Sequence, residues 1–379
     1  MRVYANLHLH SIHSDGKYSP AELVRVAKQE GYSALAIADH DTATAFPELK
    51  AAADAEGMEC LFAVEFSVNK PKNYHIVGFG FDPEYPPMKK YLADMALRQT
   101  DNTYGVFNEG VEKGYFTGIT WEEILEYNKG IKWLCNEHIF NAMLDKGLVE
   151  KCNYMEWFLK YVCEQRGHYP PSIPFKTLPE IISLIKEAGG FAIVAHPNGQ
   201  LDDIDTLIEY GIEGIEVLHP DLSAEERERA IRIALEKDLF VSGGSDHSGL
   251  CGGCYSGFPN EEELKKSPLY IPEMSAGVAH GFYEEIKSRK IDREYRVNLQ
   301  KRLTKEKYSD AGVTLTEHLT ANTCVAFDDE GRSFRNYGVK FIPFCVICNK
   351  QRIALWCGHA GGLTQHTIDK ITNIKTNKK

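Results

Sequence analysis

The chain has 379 residues, 43% of them hydrophobic and 26% charged, with 54 Asp+Glu against 43 Lys+Arg and a net charge of −11. This is ordinary globular composition and excludes a disordered, collagenous or fibrous chain. No apolar run approaches the roughly 18 residues that span a bilayer, and MRVYANLHLH has no secretory core, so a soluble cytoplasmic protein that does not engage membranes is expected.

Residues 3–10, VYANLHLH, alternate as a strand. Ser19-Pro20-Ala21-Glu22 then starts a helix: Ser19 can cap, Pro20 fits the first helical position, and Glu22 stands where a capping box places its carboxylate. That helix stops at Gly31, and a second apolar strand, SALAIAD, ends at His40. The rhythm changes between about 84 and 176. MKKYLADMALRQTDNTYGVFNEGVEKG and ITWEEILEYN are helix-like, and no apolar β run appears before 191, which predicts an inserted helical subdomain. Helix and strand then alternate again: LPEIISLIKEAGG with FAIVAHP, DIDTLIEYG with GIEGIEVLHP, and SAEERERAIRIALEKD with LFVSGGSDHSG. Such alternation argues for a parallel sheet or barrel. Residues 293–379 hold 15 Lys+Arg against 8 Asp+Glu, whereas 1–292 hold 28 against 46, so a domain boundary is placed near 292. The ten Cys are irregularly spaced, as free thiols in a reducing compartment would be.

Ligand-type residues gather at strand ends. His8 and His10 lie two apart on a strand and share a face. His40, Glu65, His196, His219, and the pair Asp246 and His247 each close an apolar run, and His75 opens one. In parallel α/β barrels the carboxyl ends of the strands converge on one face, where active sites form. Each residue alone has a plain reading: a strand-end His is commonly a surface group, and Asp15 before Gly16 suits a turn. The coincidence at nearly every strand favours a metal cage. His, Asp and Glu without Cys suit Zn²⁺, Mn²⁺ or Fe²⁺, and more than four candidate ligands imply two or three ions, the arrangement that clamps a phosphoryl group.

Taken in order, His8-Leu9-His10, Ser14-Asp15-Gly16, Asp39-His40-Asp41, Glu65, His75, Ala195-His196-Pro197 and Ser245-Asp246-His247 resemble the polymerase and histidinol phosphatase (PHP) superfamily over residues 1 to about 290. The resemblance implies a distorted (β/α)₇ TIM-like barrel with a metal cluster at the carboxyl face. It implies one ion on His8, His10, Glu65 and Asp246. A second would share Glu65 with His75 and His196, and a third would sit on Asp15, His40 and His247. Asp246 and His247 are adjacent here, where many relatives have Asp-x-His, which puts His247 in doubt as a ligand. The implied activity is a phosphoesterase in which a metal-bound hydroxide attacks phosphorus, with Asp15, His40 and Asp246 as catalytic candidates. In similar small-molecule phosphatases an Arg and a His of the insert reach the phosphate. Arg98 and His138 are the candidates here, although Arg98 also suits a solvated helix face, and His219 at its strand end is expected either to contact substrate or to support the metal ligands.

The expected substrate is a phosphomonoester, a nucleotide or nucleoside bisphosphate. Alternatives are an exonuclease acting on short oligonucleotides, a non-catalytic regulatory barrel, and an amide hydrolase with similar metals. His13 lies between the motifs. Cys251-Gly-Gly-Cys254 reads as a flexible loop, while Cys345-Val-Ile-Cys348 with Cys357-Gly-His359 has nearly the spacing of a small zinc site.

Overall fold

The structure, a computed structural model, describes residues 3–69, 74–149, 154–164, 173–249, 277–300, 344–348 and 354–359. It divides into two compact units, residues 1–293 and 294–379. In the first, α1 (Pro20–Gln29) begins with the capping box read from the sequence: the Glu22 N–H donates to the Ser19 hydroxyl at 3.3 Å, and the Ser19 N–H donates to the Glu22 carboxylate at 2.9 Å. Leu23, Val24 and Ala27 of α1 pack with Leu49 and Ala53 of α2 (Phe46–Glu56) over Leu35 and Ile37.

Two sheets carry the unit. Short parallel strands β1 (Ala5–Asn6), β2 (Ala34–Leu35) and β3 (Glu59–Cys60) form one. The other orders β4 (Ala63–Ser67), β5 (His75–Phe79), β6 (Phe191–Val194), β7 (Gly214–Leu218) and β8 (Phe240–Gly243). β5 runs antiparallel to both neighbours, and β6, β7 and β8 are parallel. The uniform parallel alternation expected from the sequence fails at β5 for a simple reason. A parallel connection needs a crossover of roughly a dozen or more residues, and only 68–74 separate β4 from β5.

Among the described residues the strands make two sheets and not one closed ring. Isolated parallel bridges, His40 to Glu65 and Leu9 to His247, join the sheets where the ligand-type residues stand. The Leu7 N–H donates to Gly243 O at 3.0 Å and the Asp246 N–H to His8 O at 2.9 Å, so the first strand lies against the loop after the last. Asn6 completes that seam: its amide donates to Ser245 Oγ at 2.8 Å and its carbonyl oxygen accepts the Ser245 N–H at 3.1 Å.

Between β5 and β6 come α3 (Pro86–Glu112), α4 (Trp121–Tyr127), α5 (Asn136–Asp145) and α6 (Tyr154–Phe158), continued by a π-helical turn at Leu159–Glu164. They enclose a core of their own around Phe107, Phe116, Ile124, Phe140 and Trp157. α7 (Leu178–Glu187), α8 (Ile204–Tyr210), α9 (Ala224–Glu236) and α10 (His280–Ser288) complete the unit. In the second unit, β9 (Phe344–Cys348) and β10 (Ala354–His359) form an antiparallel hairpin that pairs Cys345 with Gly358 and Cys357 with Val346. Cys251 and Cys254 lie outside the described residues. Among those described, Cys60, Cys135 and Cys163 are free thiols, and no helix is long and apolar enough to cross a membrane.

The seam at β8 leaves no space at Gly244, where a Cβ would overlap the backbone and Cβ of His8. Gly105, exposed within α3, has open space around it. Gly244→Ala is expected to lower unfolding stability by about 1–3 kcal/mol. Gly105→Ala should raise it by about 1 kcal/mol through helix propensity. Urea denaturation of the two variants beside the parent checks both signs.

Candidate metal centre

Glu65 lies at the middle of β4, 0% exposed, with its two oxygens facing different sets of imidazoles. Oε2 is 3.3 Å from His8 Nε2, 3.4 Å from His10 Nε2 and 3.2 Å from His40 Nδ1. Oε1 is 2.9 Å from both His75 Nδ1 and His196 Nε2. Asp246 Oδ1 adds itself to the first set, 2.8 Å from His10 Nε2 and 3.6 Å from His8 Nε2. Asp15 closes the other side, with Oδ1 3.1 Å from His10 Nδ1 and Oδ2 3.8 Å from His40 Nε2. Four groups have ligand atoms close enough to share an ion: His8, His10, Glu65 and Asp246; His40, Glu65 and His75; His10, Asp15 and His40; and His8, Glu216 and His219.

The loops that deliver these groups are bent beyond ordinary conformations. Asp41, His196 and Asp246 have φ of +49°, +26° and +52°. Non-glycine residues rarely adopt such values, which persist where the surroundings over-determine them. The cage also leaves buried atoms without hydrogen bonds: His8 Nε2, His10 Nε2, His40 Nδ1, Glu65 Oε2 and His219 Nε2. Buried polar groups are seldom left so. Atoms bound to one ion at about 2.0–2.2 Å lie roughly 3–3.6 Å apart; His8–Glu65, His10–Glu65 and His8–Asp246 fall in that range at 3.3, 3.4 and 3.6 Å, and His10–Asp246 is closer at 2.8 Å. The donor set therefore fits divalent cations. Burial alone would push the Glu65 and Asp246 carboxyls up. The surrounding imidazoles, led by His40 for Glu65 and by His8 for Asp246, outweigh it and hold both well below the usual carboxylate range. Burial would likewise lower His196, but its bond to Glu65 lifts it to about 9.

The PHP domain family profile matches residues 6–166. A 5'-3' exoribonuclease of Haemophilus influenzae is 32% identical over 259 residues, which covers 65% of this chain and 90% of that protein. The chain belongs to the PHP family. A 3',5'-nucleoside bisphosphate phosphatase of Chromobacterium violaceum is 29% identical over 253 residues, covering 64% of this chain and 86% of that protein. Among solved structures, a Bifidobacterium adolescentis protein assigned as a metal-dependent phosphoesterase superposes with a TM-score of 0.60 at 26% identity, over 77% of this chain and 98% of that one.

Against the PHP motifs, eight of the expected ligands stand together and one stands apart. His196 and His247 both lie outside the four groups, but His196 Nε2 reaches Glu65 Oε1 at 2.9 Å, whereas the His247 ring lies parallel to Tyr18 at 6.3 Å. His219 is 1% exposed beside the cage, with Nε2 3.5 Å from Asp246 Oδ2. Arg98 is exposed on α3, with no ion pair or hydrogen bond among the described residues. His13 pairs through Nδ1 with Thr44 Oγ1 at 2.8 Å.

Two residues support the PHP cage from behind: Glu216, which sequence reasoning passed over, and Asp39, which it quoted in a motif without a role. Glu216, 1% exposed in β7, accepts from His8 Nδ1 at 3.1 Å and from the His196 N–H at 2.8 Å. Asp39 accepts from the Ser11 N–H, the Ser11 hydroxyl and the Ser14 hydroxyl, each at 2.7 Å, which shapes the loop carrying Asp15. The available signal was a charge within an apolar strand, GIEVL in one case and AIAD in the other.

His138 differs from its expected place against substrate. The Cys135 N–H donates to its Nδ1 at 3.0 Å, and its Nε2–H donates to Ile12 O at 2.9 Å, so both nitrogens are committed, one to the start of α5 and the other to the 11–15 loop. Burial pushes its pKa down to about 4, against the partial opposition of the Ile12 carbonyl. The unfolded chain, with His near 6.5, binds this proton more readily. His138 thus contributes stability that is present above pH 6.5 and lost as pH falls towards 4, on the order of 3 kcal/mol. His138→Gln should show a shallower loss over that window, measured as urea midpoints from pH 7 to pH 4.

Proposed function

We propose that this chain is a metal-dependent phosphoesterase that releases phosphate from a nucleotide or nucleoside bisphosphate, using two or three Mn²⁺, Zn²⁺ or Fe²⁺ ions. One observation carries the reading: the buried Glu65 carboxylate turns one oxygen to His8, His10 and His40 and the other to His75 and His196. That is the shape of a carboxylate shared between two cation sites. His8, His10, Asp246 and Glu65 Oε2 would hold one ion, and His75, His196 and Glu65 Oε1 a second. Asp15 and His40, with His10, outline a third position. Such ions supply positive charge to phosphoryl oxygens and activate water.

We assign the activity to residues 1–292, read as a distorted (β/α)₇ barrel whose two sheets meet at the cage. Residues 293–379 are a basic extension beyond it. The helical insert, about 84–176, would cover the substrate side. Thr100 of α3 donates to Lys132 O at 3.0 Å and accepts the Leu134 N–H at 3.1 Å, and Thr103 donates to Leu134 O at 2.8 Å. This clasp sets Trp133 with its ring 6.4 Å from that of His40 at an interplanar angle of 24°. Arg98 stands just before the clasp, free to meet a phosphate with its planar fork. Asp15, His40 and Asp246 are the groups placed to orient the reacting water and oxygens.

The 32% identity to an exoribonuclease favours a second reading, stepwise removal of nucleotides from short oligonucleotides. Phosphate and nucleotide release would be followed over a panel of nucleoside bisphosphates, mononucleotides, sugar phosphates and short 5'-phosphorylated RNAs, with Mn²⁺, Zn²⁺ and Fe²⁺ in turn. Turnover of the bisphosphates that disappears with chelator and returns with metal is expected. Silence across the panel by metal-loaded protein rejects the reading, and turnover confined to RNA selects the second. Arg98→Ala should raise KM about tenfold, the worth of one charged hydrogen bond of roughly 1.5 kcal/mol, with metal content unchanged.

A further inference from the structure

β7 brings two buried groups to the cage, Glu216 and His219, that share a cluster with His8 but hold none of the three ions proposed above. Glu216 and His219 lie three apart, which on a regular strand places them on opposite faces. The register of β7 on β8 shifts between Glu216, opposite Ser242, and Leu218, opposite Gly243. An irregularity of this kind re-aims the residues beyond it. Both side chains consequently reach the same cluster, each 1% exposed.

Their bonds fix where protons sit. His8 Nδ1 lies 3.1 and 3.2 Å from the two oxygens of Glu216. A carboxylate accepts, so His8 carries its proton on Nδ1. Nε2 is then the atom left facing Glu65 Oε2 and Asp246 Oδ1. The same carboxylate accepts the His196 N–H at 2.8 Å and so holds the backbone whose φ is +26°. His219 has the opposite arrangement. The Asp221 N–H donates to its Nδ1 at 3.1 Å, which puts the ring proton on Nε2. That buried Nε2 has no hydrogen bond and faces Asp246 Oδ2 at 3.5 Å, while Asp246 Oδ1 turns to His10 and His8. A ring in this form offers the site a proton and not a lone pair, so His219 serves a carboxylate and does not bind an ion.

Resting on the metal-dependent reading above, we propose that Glu216 and His219 are positioning residues that decide which atoms of His8 and Asp246 face an ion. Glu216 does so by holding the proton on His8 Nδ1. His219 does so by turning its Nε2–H towards Asp246 Oδ2, 3.5 Å away, which leaves Oδ1 for the cation.

The test is metal binding by the full-length chain, measured by equilibrium dialysis against Mn²⁺ and Zn²⁺, with thermal melting of each metal-free protein alongside. His219→Asn keeps a group near the ring Nδ1 and removes the donor at Nε2, whereas His219→Gln reaches far enough to restore one. His219→Asn should weaken one bound ion by about 10–100-fold, with the metal-free melting temperature unchanged, and His219→Gln should recover most of the loss. Glu216→Gln keeps the volume but loses the charge, and should weaken binding to a similar degree. It also carries the test should His219→Asn not fold. Wild-type affinity in a folded His219→Asn or Glu216→Gln variant overturns the inference, as does a His219→Gln variant as weak as His219→Asn. A purely structural role would instead lower the melting temperature and leave the affinity of the folded fraction intact. A parent chain that binds no divalent ion overturns the metal-dependent reading itself, and this inference with it.

Discussion

The structure turns on one buried carboxylate. Glu65 has no access to water, and an ionised group in that position persists only if its charge is met by partners. Five imidazoles meet it, three on one oxygen and two on the other. Each comes from a different stretch of chain, apart from His8 and His10. The segments after β1, β2, β6 and β8, and the start of β5, must therefore arrive at the same point. This requirement explains why the first strand is pinned against the last loop through Asn6 and why Gly244 packs against His8. It also explains why three non-glycine residues near the cage hold a positive φ. Conformational strain of that kind is tolerated because the cage would otherwise be left with charges and no counterparts.

Protons do part of the work that cations are expected to do. His8 and His10 are fully buried, which alone would strip their charge. Glu216 leads the groups that reverse this for His8, and Asp15 those for His10, so both rings titrate well above the ordinary range. A cage that keeps protons this tightly in order to balance its carboxylates is one that cations can enter by displacing them. His8 and His10 turn Nδ1 to a carboxylate at the edge, Glu216 and Asp15, and present Nε2 to Glu65, whereas His40 and His75 present Nδ1 to it. A ring whose Nδ1 accepts a backbone N–H, as in His138 and His219, presents a donor.

Much of this was legible in the sequence, because strand periodicity and strand-end position are local properties. The capping boxes at Ser19 and Ser223 and the helical stretch between β5 and β6 follow from spacing and composition, and the convergence of His8, His10, His40, Glu65, His75, His196 and Asp246 was expected from strand-end position together with the PHP resemblance. What did not follow depends on direction and partner. The antiparallel turn of β5 reflects a short connection whose consequence appears only when neighbouring strands are known. The divergence of His247 from Asp246 could be suspected from adjacency, but its seat beside Tyr18 could not. Glu216 was hidden because a single acid in GIEVL is indistinguishable from an exposed alternate position until the strand proves buried on both faces. His138 was placed in the right region, but its ring is spent on the Ile12 carbonyl, a partner over a hundred residues away in sequence.

Charge bears on the choice between small and polymeric substrates. Residues 1–292 carry 46 Asp+Glu against 28 Lys+Arg, so the unit around the cage repels polyanions at distances where fields are still felt. At about 0.15 M salt that range is roughly 8 Å, which a mononucleotide crosses once and a long strand must endure along its whole contact. Gripping a nucleic-acid backbone instead takes a row of Lys and Arg facing its phosphates. In this unit Arg98 is an exposed cation beside the clasp that positions Trp133, with no ion pair among the described residues. A net negative surround of this kind disfavours a long polyanion more than a short one.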